Sequence, residues 1–214
     1  MPFITDKEHR VSLKSSEQRK ADGFEQITSK PFTWVAGLDN CHYNFFRRQD
    51  GSQGCLSVTI DGLTIAELEF RFIEDLGLDV TAVQIFSVFV HKDYRWLGLG
   101  PSSYPALLQN VDYIVSDNEQ TESGAVLWGV KLASNEELSI RVLDRALEGS
   151  PEFGLDGPEQ HATFSFDGNS FSIDPSTIWS IDDMQGRYEH ELPFSPHTSE
   201  CRRHVTLVAS LKNP

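Results

Sequence analysis

The most regular apolar pattern lies in the middle of the chain. Val83 to Val90 (VQIFSVFV) places Val83, Ile85 and Phe89 on one face of an extended segment and Phe86, Val88 and Val90 on the other. A strand apolar on both faces is expected to be central and buried. Further on, Tyr104, Leu107, Leu108, Val111, Ile114 and Val115 recur at helical spacing. Pro105 fits only a first helical turn, so the pattern predicts a helix that begins with Ser102 or Ser103 as N-cap. Strand and helix are joined by Arg95-Trp96-Leu97-Gly98-Leu99-Gly100, whose two glycines allow a tight turn with bare backbone.

Upstream, Cys41 to Arg48 (CHYNFFRR) and Cys55 to Ile60 read as strands about the turn Gln49 to Gly54. Asp61-Gly62 then turns the chain into a third strand, Leu63 to Phe72, whose alternation slips between Ile65 and Leu68 as at a β-bulge. Residues 1 to 33 are polar, with Val11 and Leu13 as a short edge strand and Ser15 to Gln26 as an amphipathic helix. Downstream, Ala125 to Leu132 (AVLWGVKL) reads as an apolar strand. Ser134 to Glu137 reads as a capping box opening a helix to about Glu148, which Gly149-Ser150-Pro151 would stop. A hairpin, His161 to Phe166 with Ser170 to Ile173, surrounds Asp167-Gly168-Asn169, and His204 to Leu211 forms a last strand. The long polar stretch Asp174 to Cys201, marked by Trp179 and Tyr188, is of the kind that contributes to an acceptor pocket.

These elements make an α+β chain with a mixed, largely antiparallel sheet and flanking helices. With 214 residues, 39% of them hydrophobic, the chain can bury a real core, and a single domain over 1–214 is the simplest count. No run of about 18 apolar residues predicts a membrane span. The charged N-terminus lacks the apolar core of a signal peptide, so a cytoplasmic location is expected. Cys41, Cys55 and Cys201 are odd in number and scattered, which suits free thiols rather than a disulfide framework. A net charge of -14, from 32 acidic against 18 basic residues, argues against nucleic acid and favours either a cationic partner or plain solubility. His197, Cys201 and His204 have metal-compatible spacing but lack a fourth ligand, so no metal is expected.

Strand, glycine turn and helix N-terminus together form an anion site, because N–H groups and the positive end of the helix dipole converge there. The ligand this suits is a pyrophosphate. The longer string Val88-x-Val90-His91-x-Asp93-Tyr94-Arg95-x-x-Gly98-x-Gly100 resembles the acyl-coenzyme A motif of the GNAT superfamily of N-acyltransferases. That motif reads Arg or Gln, two residues, Gly, one residue, Gly or Ala. The resemblance covers roughly Cys55 to Glu148. It implies a GNAT-like fold that binds acetyl-CoA through Val88, Phe89, Val90, Arg95, Trp96, Leu97, Gly98, Leu99, Gly100, Ser102 and Ser103. Asn135 stands where family members often open a helix with a coenzyme-contacting asparagine, and it reads equally well as a cap.

Three departures weigh against the family pattern. Pro101 follows the second glycine and has no N–H for a phosphate. The N-terminal third is atypical, with one helix where the family has two. Gln84 and Val142 stand where the resemblance places a glutamate base and a tyrosine acid, and neither carries that chemistry. Glu69 and His91 are the remaining catalytic candidates, with Glu67 and Ser87 behind them. The resemblance therefore implies acetyl transfer to a small amine or a protein amine. The alternative is an acidic binding or inhibitory protein whose GNAT-like core has lost its chemistry.

Overall fold

Alternating side chains between residues 41 and 90, broken by tight turns, fold as an antiparallel meander. The computed structural model describes residues 3–5, 13–73, 80–117, 119–144, 162–181, 192–194, 197–198 and 205–212. In chain order the elements are β1 (Phe3–Thr5), α1 (Ser16–Ala21), β2 (Phe24–Pro31), β3 (Cys41–Arg48), β4 (Gln53–Ile60), β5 (Leu63–Ile73) and β6 (Ala82–Val90). A 3-10 turn, Lys92–Leu97, leads to α2 (Leu99–Leu107), β7 (Tyr113–Val115), β8 (Glu119–Thr121) and α3 (Glu122–Val126). α3 widens into a π-helical stretch, Leu127–Leu132, before β9 (Leu138–Asp144), β10 (Thr163–Phe164), β11 (Ser180–Ile181), β12 (His197–Thr198) and β13 (Val205–Leu211). The chain is α+β and its strand pairing largely antiparallel. It divides into two compact units, Arg10–Ile114 and Met1–His9 with Val115–Pro214.

In the unit Arg10–Ile114, β2 to β6 pair in sequence order, each antiparallel to the next. Asp61 and Gly62 both take positive φ, 49° and 83°, which is the backbone a two-residue hairpin turn requires. Two bulges set the faces of the ladder. Thr59 pairs with Thr64 while Val58 pairs with Ala66, so Ile65 is the extra residue, inside the stretch where the alternation slips. Ser87 pairs with Glu69 while Ile85 pairs with Phe70, so Phe86 is extra on β6.

The second bulge corrects the faces expected for β6. Directly paired residues share a face of the sheet. Val83, Ile85, Val88 and Val90 therefore lie with Phe70, Leu68 and Ala66, while Gln84, Ser87 and Phe89 lie with Arg71, Glu69 and Glu67. Nor is the strand buried throughout. Ala82 to Ile85 are buried, but Phe86 is 44% exposed and Val88 36%. The apolar face buries Phe45, Leu56, Val58, Leu68 and Phe70, with Phe45 and Phe70 stacked at 5.8 Å.

The opposite face carries Glu67, Glu69, Arg71 and Gln84 beside the apolar Phe46, Cys55 and Phe89, and α1 closes part of it. Ser15 caps this helix by a reciprocal pair, accepting from the Gln18 N–H at 3.2 Å while its own N–H donates to Gln18 Oε1 at 2.8 Å. The helix ends at Ala21, and Phe24 to Gln26 already belong to β2, a correction to the longer helix expected from Ser15 to Gln26. The turn at Gly23, φ 85°, separates the two. Of the expected edge strand, Leu13 is irregular and Val11 lies outside the described residues.

From α1, Arg19 reaches under the helix with its side chain 2% exposed. Its Nη1 lies 2.7 Å from Glu69 Oε1 and its Nη2 3.0 Å from Glu67 Oε2, while Nε donates to Glu67 Oε1 at 3.2 Å. The Lys14 N–H adds a bond to Glu67 at 3.3 Å. Burial pushes Glu67 above the usual carboxylate range despite the opposing pull of Arg19.

The second unit holds the antiparallel ladder β10-β9-β13 and a small parallel sheet in the order β12-β11-β1-β8. Two expected elements exchange identity here. Ala125 to Leu132 is helical rather than a strand, with Ala125, Trp128 and Leu132 buried at i, i+3 and i+7. Leu138 to Asp144 is a strand rather than part of a helix, and 145–148 lie outside the described residues. The Ser134 hydroxyl donates back to the Val130 carbonyl at 2.7 Å, so it ends the preceding helix instead of starting a new one. The expected hairpin forms, with Phe166 bridging Phe171 and Asp167 Oδ1 accepting from the N–H groups of Asn169 and Ser170. His161 and His204 lie outside the described residues, and the last strand runs Val205–Leu211.

Replacing Arg19 by Met would leave two carboxylates in a buried setting without their cation, a loss of about 3–5 kcal/mol near neutral pH. Without Arg19 the folded-state pKa of Glu67 stands further above its unfolded value. The penalty is then present above that folded value and recedes as pH falls through it toward the unfolded one. Urea unfolding should show a larger Arg19→Met deficit at pH 8 than at pH 5, whereas an equal deficit at both would contradict a charge origin.

Candidate functional site at the glycine turn

The end of β6 determines what this site can offer. The His91 N–H donates to the Ile65 carbonyl at 2.8 Å, so residue 91 points toward β5. Backbone groups alternate sides along a strand, and the N–H and C=O groups of Val90 and Val88 therefore point away from β5. β7 begins level with the start of β6, since the Asp112 and Tyr113 N–H groups both donate to the Thr81 carbonyl, at 2.8 and 3.2 Å. Three residues long, β7 is too short to follow β6 to Val90. The exposed side chains of Phe86 and Val88 lie on this outer half of the strand.

Beyond Val90 the chain coils through Lys92–Leu97 and is tied back to the strand. Arg95 Nε donates to the Val90 carbonyl at 3.2 Å, and the Tyr94 N–H to the His91 carbonyl at 2.9 Å. Gly98 then takes φ 73°, ψ 22°, a left-handed conformation that admits glycine without a Cβ penalty, and serves as the N-cap of α2. The helix thus begins at Leu99, earlier than the expected Ser102 or Ser103, and ends at Leu107. Val111, Ile114 and Val115 lie in the following turn and β7 rather than on the helix.

This start redefines the anion cradle. The first N–H groups of a helix have no intrahelical acceptor, and here they belong to Gly98, Leu99 and Gly100. Pro101 removes the fourth donor but, sitting in the first turn, breaks no helical bond. Among the described residues, nothing lies within 4 Å of where a Cβ on Gly98 would stand, and a Cβ on Gly100 would meet only Val90 Cγ2, at 3.9 Å. The backbone is thus approachable at both glycines. Leu99 is buried and anchors the turn from beneath.

Other expected contacts are placed elsewhere. Ser103 is fully buried and its hydroxyl donates to the Leu99 carbonyl at 2.7 Å, which takes it from the open side of the turn, whereas Ser102 is half-buried. Asn135 follows the helix that ends at Leu132, and its Oδ1 accepts from the Glu137 N–H at 2.8 Å, so it does not open a helix. Val142 lies on β9 and not on a helix.

The expected base position is also occupied. Gln84 is buried, and its Oε1 accepts from both Nε and Nη2 of Arg71, on the face of the sheet that carries Glu67 and Glu69. Glu69 is engaged by Arg19, while His91 Nδ1 accepts from the Asp93 N–H at 3.4 Å and stands 3.7 Å from Asp93 Oδ2. Sequence reasoning missed Arg71, although its place opposite Gln84 follows once the Phe86 bulge is known. Of the histidine and cysteine set, Cys201 and His204 lie outside the described residues.

No family model matches the chain, and no curated protein matches it. Among solved structures it is similar to the ribosomal-protein-alanine N-acetyltransferase from Brucella melitensis biovar Abortus 2308, at 22% identity over 29% of this chain and 43% of that one, with a TM-score of 0.26. It is also similar to a tandem GNAT protein from the clavulanic acid biosynthesis pathway, at 13% identity over 49% of this chain and 37% of that one, with a TM-score of 0.27. The chain spans less than half the length of either structure. Likeness this loose carries over no residue role.

The left-handed turn makes one stability prediction. Gly98→Ala places a Cβ at φ 73° in open space, so only backbone strain opposes it, at about 1–2 kcal/mol. Chemical denaturation should register that loss, and an unchanged midpoint would mean that the turn does not hold this conformation.

Proposed function

We propose that the unit Arg10–Ile114 binds an acyl-coenzyme A at the turn between β6 and α2. The reading goes further, to transfer of the acyl group to an amine. The single observation that carries it is the cradle of Gly98, Leu99 and Gly100 N–H groups at a helix N-terminus, next to the outer half of β6 with its exposed Phe86 and Val88. Pyrophosphate suits the cradle because the helix end supplies both donors and positive potential. In this reading the N–H groups of Val88 and Val90, aimed away from β5, would polarise a thioester carbonyl beside the strand. The sequence string that resembles the GNAT motif falls on these same residues.

A second reading has its own observation. Gln84 is held by Arg71, and Glu69 is bound by Arg19. Neither of these groups is a ready base or acid, which favours a coenzyme-binding protein without transfer chemistry. In the first reading, amine deprotonation falls to bulk water. The excess of acidic residues suits a cationic acceptor in the first reading and a basic partner in the second.

Gly100→Asp separates fold from function. At the second position of α2, a carboxylate interacts favourably with the helix dipole, and its Cβ meets only Val90. The same carboxylate repels a phosphate from the cradle. Calorimetry should show coenzyme A affinity falling by ten-fold or more while the melting temperature holds or rises. Equal affinity for wild type and variant would overturn the proposed site, and binding of acetyl-CoA without turnover on any amine would select the second reading.

A further inference from the structure

Trp96 is 80% exposed, far more than the other tryptophans: Trp128 and Trp179 are buried and Trp34 half-buried. Leaving so large an apolar ring in water forgoes the burial that stabilises its counterparts. The ring is nonetheless held in place, because its Nε1 donates to the Asp93 carbonyl at 3.0 Å within the Lys92–Leu97 turn. That bond uses the polar edge of the indole and leaves its apolar faces to solvent. The turn is itself secured to β6 through Arg95 and Val90.

Resting on the coenzyme-binding reading above, we infer that Trp96 is the stacking platform for the adenine base of the coenzyme. Its Cα lies two residues before Gly98, so it is at most about 7 Å from the first glycine of the cradle. With the pyrophosphate on the Gly98–Gly100 amides, the base follows after a ribose, on the scale of that spacing. A planar base has a π-face whatever its edge pattern, and an aromatic ring beside an anion cradle binds it without hydrogen-bond readout. The residue's part is affinity for the nucleotide end of the ligand, distinct from the backbone contacts of its neighbours. It predicts that this chain prefers coenzyme A over carriers that present the same pantetheine arm without a nucleotide.

The test titrates coenzyme A and phosphopantetheine into wild type, Trp96→Leu and Trp96→Tyr, reading affinity by calorimetry and indole fluorescence in parallel. Stacking is expected to be worth about ten-fold in coenzyme A affinity, lost in Trp96→Leu and largely kept in Trp96→Tyr. Phosphopantetheine should bind all three alike. Wild-type fluorescence should be quenched by coenzyme A, and that quench should vanish in both variants. Equal coenzyme A affinity in wild type and Trp96→Leu would overturn the stacking role while leaving the cradle intact. An equal loss for phosphopantetheine would assign the indole to the arm instead and overturn it too. Absence of coenzyme A binding to wild type would remove the coenzyme reading itself and this inference with it. Because Trp96 is exposed, the variants should melt with wild type, and if Trp96→Leu does not, Trp96→Tyr decides.

Discussion

One extra residue on one strand, Phe86, governs the architecture around the turn. A strand paired in strict register presents one set of side chains to each face along its whole length. The bulge breaks β6 into two halves with different duties. Up to Ile85 it is buried and completes the core. Beyond Phe86 it brings Val88 and Val90 to the apolar face and directs their backbone groups away from β5. Without the bulge, Ser87 and Phe89 would take that face in place of Val88 and Val90. Bulges bend a strand and re-aim its side chains where a sheet stops pairing, and the short β7 marks such an ending.

The other side of the same sheet imposes a second constraint. Glu67, Glu69, Arg71 and Gln84 lie together on a face that must be covered, and buried carboxylates require a cation. α1 supplies it through Arg19, and Arg71 satisfies Gln84. The two carboxylates on this face, Glu67 and Glu69, are thereby committed to structure. Under the proposed reading, coenzyme capture and proton transfer would stand on different footings. The first would rest on backbone that the fold leaves open, the second on groups that it has already used.

The meander from Cys41 to Val90 was legible because alternation and turn residues agreed, down to the slip that became the Ile65 bulge. The glycine turn was legible for a similar reason, since few residues other than glycine fit φ 73° at Gly98. What failed was the reading of short apolar runs. Ala125 to Leu132 is eight residues long, a length at which strand and buried helix give the same composition. Burial of Ala125, Trp128 and Leu132 shows a helical stripe that the apolar Val126, Leu127 and Val130 between them disguised. Ser134 misled for a chemical reason, because a hydroxyl that can cap a helix start can equally bond back to a carbonyl at a helix end. The Phe86 bulge left no mark in VQIFSVFV, where nearly every position is apolar and either register looks acceptable.

The proposed site requires that the amides of the turn hold a phosphate-bearing ligand. The direct measurement is amide NMR of the whole chain during titration with coenzyme A. The N–H signals of Gly98, Leu99 and Gly100 should move together, in a saturable way, ahead of signals elsewhere in the unit. Inorganic phosphate should move the same three signals more weakly. Saturable shifts confined to other residues, or none at these three, would contradict the account.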